Sequence, residues 1–248
     1  PTGPLAGECT SRAFRAYLKR RKDAKLMTPA ARLALGAAGR LLEQPQHVGI
    51  ARTSLGLQVT VGREPPDDGA AEQSLVRSIN PSGKFSERLL AEEGRRAYPP
   101  LLPLRTLPNM VLAHISIQLG IGGDNGTWTG LQSLMAGYWA IVEQRCESVI
   151  VGGADSLVSL AQARDLLRQG IKSRPGEAAV MCMLRRADHA TEDSILITPA
   201  KSQGPRKRIV HRLQRCIGDA GAAQPWLGLL AAIAVQSDTY AGWHLQQK

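Results

Sequence analysis

Four cysteines, Cys9, Cys146, Cys182 and Cys216, and five histidines are the first candidates for nucleophilic or metal chemistry in this chain. No two cysteines stand at C-x-x-C spacing and no H-x-x-x-H pair occurs, so the pattern argues against structural zinc and no metal site is expected. Scattered cysteines in a chain of this length read as buried thiols. His114 lies in the apolar run LAHISIQL (112–119) and reads as a packed histidine holding one hydrogen bond. Asp68, Asp124, Asp155 and Asp219 stand too far apart in sequence to argue a carboxylate pair. The stretch GIGGDNG (120–126) invites a phosphate-binding reading, but it contains neither G-x-G-x-x-G nor G-x-x-x-x-G-K-[ST]. GLQS (130–133) is not the G-x-S-x-G of a hydrolase elbow, which leaves Ser133 on a helix surface or in a packing contact.

The elements that must position these residues alternate between helix and strand, which argues for an α/β fold. A helix is expected from Pro29 to Leu42, capped by Thr28, with Leu33, Ala37, Ala38, Leu41 and Leu42 on its apolar face. His47 to Val61 reads as strand, followed by a loop from Gly62 to Gly69. Residues 70–100 read as short helices broken at Asn80–Gly83, and Tyr98–Pro103 as extended. Helices are expected over 107–119, 130–144, 157–169 and 221–235. In the second of these, Leu131, Leu134, Met135, Tyr138, Trp139 and Val142 form one apolar stripe. Ser148–Val151 reads as a short buried strand ended by Gly152-Gly153. Glu177–Leu184 and Ser194–Ile197 read as strands, paired as a hairpin around 188–193. Residues 199–212 are polar, basic and rich in breakers, and read as a linker.

The chain has 248 residues, 43% hydrophobic and 21% charged, which are values of a globular protein. No apolar run reaches the roughly 20 residues of a membrane span, and the start PTGPLAGECTSR lacks signal-peptide regions. A cytoplasmic location without membrane association is the expectation. The net charge of +10 favours acidic partners, with basic runs at Lys19–Lys22 and Arg206–Arg208. Aromatic residues make up only 4% of the chain, which is poor in stacking platforms, so nucleic acid is a weak candidate partner.

Five segments in order resemble the β-ketoacyl synthases of the thiolase superfamily. They are KLMTPAARLAL (25–35), Pro108-Asn109 with HISIQLGI (114–121), TGLQ (129–132) running through to GGAD (152–155), RPGEAA (174–179), and IGDAGAA (217–223). The stretch TWTGLQSLMAGYWAIVEQRCESVIVGGADS (127–156) is similar to that family's nucleophile helix and the strand after it. The resemblance implies a thiolase-like layered α/β fold with mixed sheets and buried central helices. The helices at 130–144 and 221–235 would both be interior. It further implies a ketosynthase-like half over 1–198, a linker over 199–212 and a remnant of the second half over 213–248. The chain reads as truncated relative to the family, with short regions before Gly126 and around Ile209.

In the family a cysteine at the head of a helix attacks an acyl thioester, and two histidines support decarboxylation and the oxyanion. The resemblance puts Thr127 at the cysteine position and Asp219 at the histidine of the I-G-H-T-G-A-A motif. The H-G-T-G-T segment has no counterpart, and the family's lysine aligns with Gln214. No catalytic residue is therefore expected. The resemblance then implies a non-catalytic partner subunit, comparable to a chain-length factor, in fatty-acid or polyketide-type biosynthesis. Its partners would be an active ketosynthase and an acyl carrier protein whose phosphopantetheine delivers acyl groups, and no cofactor would be bound. The competing reading is an active condensing enzyme or acyltransferase, with Thr127 or a cysteine from elsewhere as nucleophile.

Overall fold

The computed structural model describes residues 13–62, 68–99, 101–171, 173–189, 194–199, 219–235, 239–240 and 243–247. A mixed sheet ordered β2-β1-β3-β4 forms the centre, from β1 (Gly56–Val61), β2 (Asn125–Trp128), β3 (Ser148–Ser156) and β4 (Glu177–Arg185). Strand β1 is parallel to β2 and β3, and β4 is antiparallel to β3. Every residue of β1 and β3 is buried. Strands covered on both faces lose the alternation of a half-exposed strand. The two faces still differ. Leu57, Val59, Val61, Ile150 and Ala154 belong to one core cluster, and Val149, Val151 and Val180 to the other.

Helix α1 (Pro29–Leu42) covers the first face with the expected bounds, and the Thr28 hydroxyl accepts from the Ala31 amide at 3.3 Å. Its buried stripe is not the expected one. Ala30, Ala31, Ala34, Leu35, Ala38 and Leu42 are buried, while Leu33, Ala37 and Leu41 sit at the margin. Small residues let the helix come close to its neighbours, and a Cβ on Gly39 would lie 2.4 Å from the Tyr17 ring. Alanine and glycine mark this face more faithfully than leucine does. Between α1 and the next long helix lie α2 (Asp68–Arg77), α3 (Glu87–Leu89), a π turn over Leu90–Gly94, and α4 (Arg95–Ala97). The expected break holds, and Asn80 Oδ1 accepts from the Ser82 and Lys84 amides at 3.0 and 2.9 Å. Helix α5 (Met110–Leu119) joins α1 on the first face and ends at Gly120, whose φ is 73°.

Helices α6 (Gln132–Val142) and α8 (Gln224–Ala234) contribute to the core of the second face. Neither is enclosed as expected. Helix α6 buries Ser133, Leu134, Gly137 and Ala140, and turns Met135, Trp139 and Val142 outward. Of the six residues of the expected stripe only Leu134 is buried. Helix α8 buries Trp226, Leu229 and Ala232 but leaves Leu230 partly exposed. Helix α7 (Leu160–Arg168) starts at the Ser159 cap.

Four further expectations are corrected. Only 56–61 of the expected 47–61 strand is strand. Pro45–His47 is a 3-10 turn, Gly49 has φ 89° and Val48 is exposed, because a left-handed residue interrupts an extended run. Gly152 and Gly153 do not end β3 but lie inside it. The Tyr98–Pro103 segment is not extended throughout, since Leu102–Thr106 closes into a 3-10 helix. No β4–β5 hairpin forms. Strand β5 (Ile195–Pro199) pairs with β7 (Trp243–Gln247), which pairs with β6 (Thr239–Tyr240). Strand β4 is ladder-paired only to β3 among the described residues, and β5 takes β7 as its partner instead. Positions 200–212 of the expected linker, the 206–208 basic run, Cys9, Cys216 and Gln214 lie outside the described residues.

Candidate functional site

Where β3 ends, its last residues meet the N-terminus of the segment leading into α8. Asp155 is buried there, and its Oδ2 accepts from the Ala222 amide at 2.7 Å while Oδ1 accepts from the Ser156 amide at 2.8 Å. A Cβ on either Gly62 or Gly221 would lie 2.1 Å from Asp155 Oδ2, so both positions must lack one. Gly221 also has φ 51°, a conformation natural to glycine. Asp219 sits beside this carboxylate. Its Oδ1 accepts from the Gly221 amide at 2.9 Å, and Ser173 donates to Oδ2 at 3.5 Å. The Asp219 backbone is clamped against Arg174–Gly176, donating to the Arg174 carbonyl and accepting from the Gly176 amide.

Burial pushes the Asp155 carboxyl above its usual range. The amide donors of Ala222 and Ser156 oppose that rise, and the negative Asp219 adds to it. The carboxylates judged too scattered to pair are thus brought together by the fold. The amides that open the turn over 221–223, just ahead of α8, are the donors that hold them.

Thr127 lies elsewhere. It is in strand β2, opposite Val59, not at the head of α6, whose first residue is Gln132. Strand β1 separates β2 from β3, a span of about 10 Å at ordinary strand spacing. Among the described residues no hydrogen bond ties the Thr127 hydroxyl to a basic side chain. A threonine hydroxyl without a base is a poor nucleophile.

Other candidates are structural. Ser133 is fully buried, shares a 2.6 Å hydrogen bond with the Thr60 hydroxyl and donates to the Gly152 carbonyl at 3.2 Å. In the glycine-rich loop the Gly122 and Gly123 amides donate to the Arg52 and Leu55 carbonyls. Those donors face protein rather than a phosphate. The His114 ring shares a 3.2 Å hydrogen bond with the Leu26 carbonyl, and burial lowers its pKa. Cys146 is buried, and burial pushes the Cys182 thiol up to about 11, which leaves it unreactive at neutral pH.

A second site was not legible in the sequence. A cleft of about 450 Å³ opens beside β2, between Trp128, Trp139, Asp124 and Arg145. The buried Gln58 side chain accepts from Trp128 Nε1 at 2.7 Å and donates to Asp124 Oδ2 at 3.2 Å. Arg145 pairs with Asp124 and with Glu143. Trp128, Met135, Trp139 and Val142 are 38, 38, 47 and 50% exposed. Trp128 ends β2, the outermost strand of the sheet among the described residues, and Trp139 lines the same cleft. Only the polarity of Gln58 within a fully buried strand could have hinted at this network. Among the described residues no helix is long and apolar enough to cross a membrane.

The family model of the β-ketoacyl synthase N-terminal domain matches residues 9–190. No curated protein shows significant sequence similarity to the chain. Among solved structures, the chain is similar to a type II polyketide synthase ketosynthase, AntDE, determined with its acyl-carrier protein AntF. The TM-score is 0.55 at 13% identity, covering 92% of this chain and 72% of that one. It is also similar to the oxazolomycin ketosynthase domain OzmH KS7 of Streptomyces albus JA3453. There the TM-score is 0.50 at 15% identity, covering 94% of this chain and 48% of that one. The chain therefore spans about half the length of the latter. At these identities the likeness is one of fold, a thiolase-like ketosynthase fold with a mixed sheet between helices.

Proposed function

Because the chain belongs to the β-ketoacyl synthase family, we propose that it is a non-catalytic, chain-length-factor-like partner of an active ketosynthase in fatty-acid or polyketide-type biosynthesis. The observation that carries this reading is Asp219. Where the family needs an imidazole to donate to an oxyanion, this chain holds a carboxylate that itself accepts from the Gly221 amide. An ionised carboxylate is acceptor-only, and a negative charge there opposes the charge that develops in the transition state. Thr127, in a strand and without a base, supports the same reading.

In this reading the chain works through shape and interface. Among the described residues no strand pairs with the outer edge of β2, and the exposed Trp128, Met135, Trp139 and Val142 are apolar surface suited to a partner subunit. The net charge of +10 suits an acidic acyl carrier protein, whose phosphopantetheine would bring acyl groups to the partner's site. Residues 1–198 would form the ketosynthase-like half and 213–248 the remnant of the second, joined through 199–212.

The test is the purified chain, alone and with its co-purifying partner, assayed for decarboxylation and condensation of malonyl-carrier protein. The expected outcome is background activity alone and a near-stoichiometric ketosynthase partner by intact mass. Robust condensation by the chain alone, or an acyl adduct mapped to Thr127 by mass spectrometry, would instead establish the enzymatic reading.

A further inference from the structure

A second cavity, of about 460 Å³, lies on the α1 side of the molecule, far in sequence from the features just described. Its walls come from the 3-10 turn Ala13–Tyr17, the 3-10 helix Arg21–Leu26 and the first turn of α1. Four cations line it, Arg15, Arg21, Lys25 and Arg32, with Phe14 and Leu18 as apolar surface between them. Among the described residues no carboxylate lines it, and none of the four forms an ion pair. Asp23, the nearest acid in sequence, is turned away. It accepts from Arg20 at 3.1 Å and from the Gln118 amide at 3.0 Å.

Arg32 is the centre of the cluster. Its guanidinium carbon lies 5.8 Å from the Phe14 ring centroid, and Nη2 donates to the Ala24 carbonyl at 3.0 Å. Its Nε is buried without a hydrogen-bond partner among the described residues. Burial lowers its affinity for a proton, and the neighbouring positive charges of Arg105 and Arg15 lower it further. A desolvated guanidinium among like charges is destabilised unless an anion comes to it. The protein supplies no such anion from the described residues.

We propose that this cavity binds a small phosphate monoester carrying an apolar group. A phosphate monoester brings close to two negative charges and several acceptor oxygens, which Arg forks bind in pairs. The cavity is larger than a bare phosphate needs and falls within the roughly 300–1,000 Å³ range of small-molecule sites. Phe14 and Leu18 supply the surface for the apolar part. The site is independent of the function proposed above, since it shares no residue with Thr127, Asp155 or Asp219.

The experiment is calorimetric titration of the full chain at constant ionic strength with phenyl phosphate, inorganic phosphate and benzoate. Phenyl phosphate is expected to bind one to one, inorganic phosphate about tenfold more weakly, and benzoate more weakly still. Arg32→Gln and Arg15→Gln are each expected to weaken phenyl phosphate about tenfold or more, as the loss of a charge-assisted hydrogen bond implies. Lys84→Gln, which removes one positive charge elsewhere, leaves binding unchanged. Thermal unfolding of each variant checks that the fold is kept, and Arg15→Gln serves if Arg32→Gln does not fold. No saturable binding at millimolar phenyl phosphate, equal binding of benzoate, or equal weakening by Lys84→Gln overturns the proposal.

Discussion

The helices on the two faces of the central sheet place their large residues differently. On the α1/α5 face the large residues point inward, with Leu35, Ile115, Leu57 and Val59 fully buried. On the other face α6 buries Ser133, Gly137 and Ala140 beside a single large residue, Leu134. Ser133 bonds to Thr60, and a Cβ on Gly137 would lie 2.3 Å from Val151. The large residues of α6, Met135 and Trp139, point outward. The first face is held by apolar burial. At α6 the second is held by close approach and buried hydrogen bonds, and Met135, Trp139 and Val142 stay exposed among the described residues. In the reading proposed above, the difference separates scaffold from partner surface within one sheet.

The largest effect expected from breaking this comparison comes from Trp226, the big buried residue that fills the second face against Gly153. Trp226→Ala should destabilise by about 3–5 kcal/mol in denaturant unfolding. Leu35→Ala, on the first face, should cost about 2–5 kcal/mol by the same cavity argument. If Leu35→Ala were neutral, α1 would not be the scaffold described here. Removal of the Thr28 cap in Thr28→Ala should cost about 1 kcal/mol.

The Asp155–Asp219 pair gives a pH test of where α8 meets β3. The folded-state pKa of Asp155 is raised, so the folded chain holds a proton that the unfolded chain releases. Its contribution to stability is present below the unfolded carboxyl value and is lost as pH rises through the folded one. Asp155→Asn should flatten that decline in unfolding curves measured from acid to neutral pH. An unchanged pH profile would show that burial does not raise the Asp155 carboxyl. The smallest stability effect should come from Trp139→Ser, at about 0.5 kcal/mol or less, because the side chain is already exposed. The same variant should release the co-purifying partner, a loss that Leu33→Ser, at the margin of α1, should not reproduce.

Much of the fold was legible along the chain. The bounds of α1 followed from Thr28-Pro29 at one end, and β4 and the helix after Gly221 fell where their patterns put them. The order of five short motifs pointed to the family that the match over 9–190 then established. The site was less legible. Thr127 and Asp219 were singled out one by one, but the approach of Asp155 to the segment before α8 joins residues 67 apart in sequence. Nothing local in either segment announces that contact.

Local chemistry by itself determined that most of the helices and strands exist, which residue types each carries, and that the positions the resemblance sets against the cysteine and histidine of a condensing enzyme read Thr127 and Asp219. Those properties depend on neighbours along the chain, through capping, backbone preference and periodicity. Only the tertiary structure decided which face of α6 is inside. A period of 3.6 residues shows that an apolar stripe exists but not what it meets, and β1 and β3 met the Ser133–Gly137 side more closely than any tryptophan allows. Only the tertiary structure, too, put two carboxylates on one set of amides and four cations around one cavity, because charge at a distance in sequence acts only once the chain has closed.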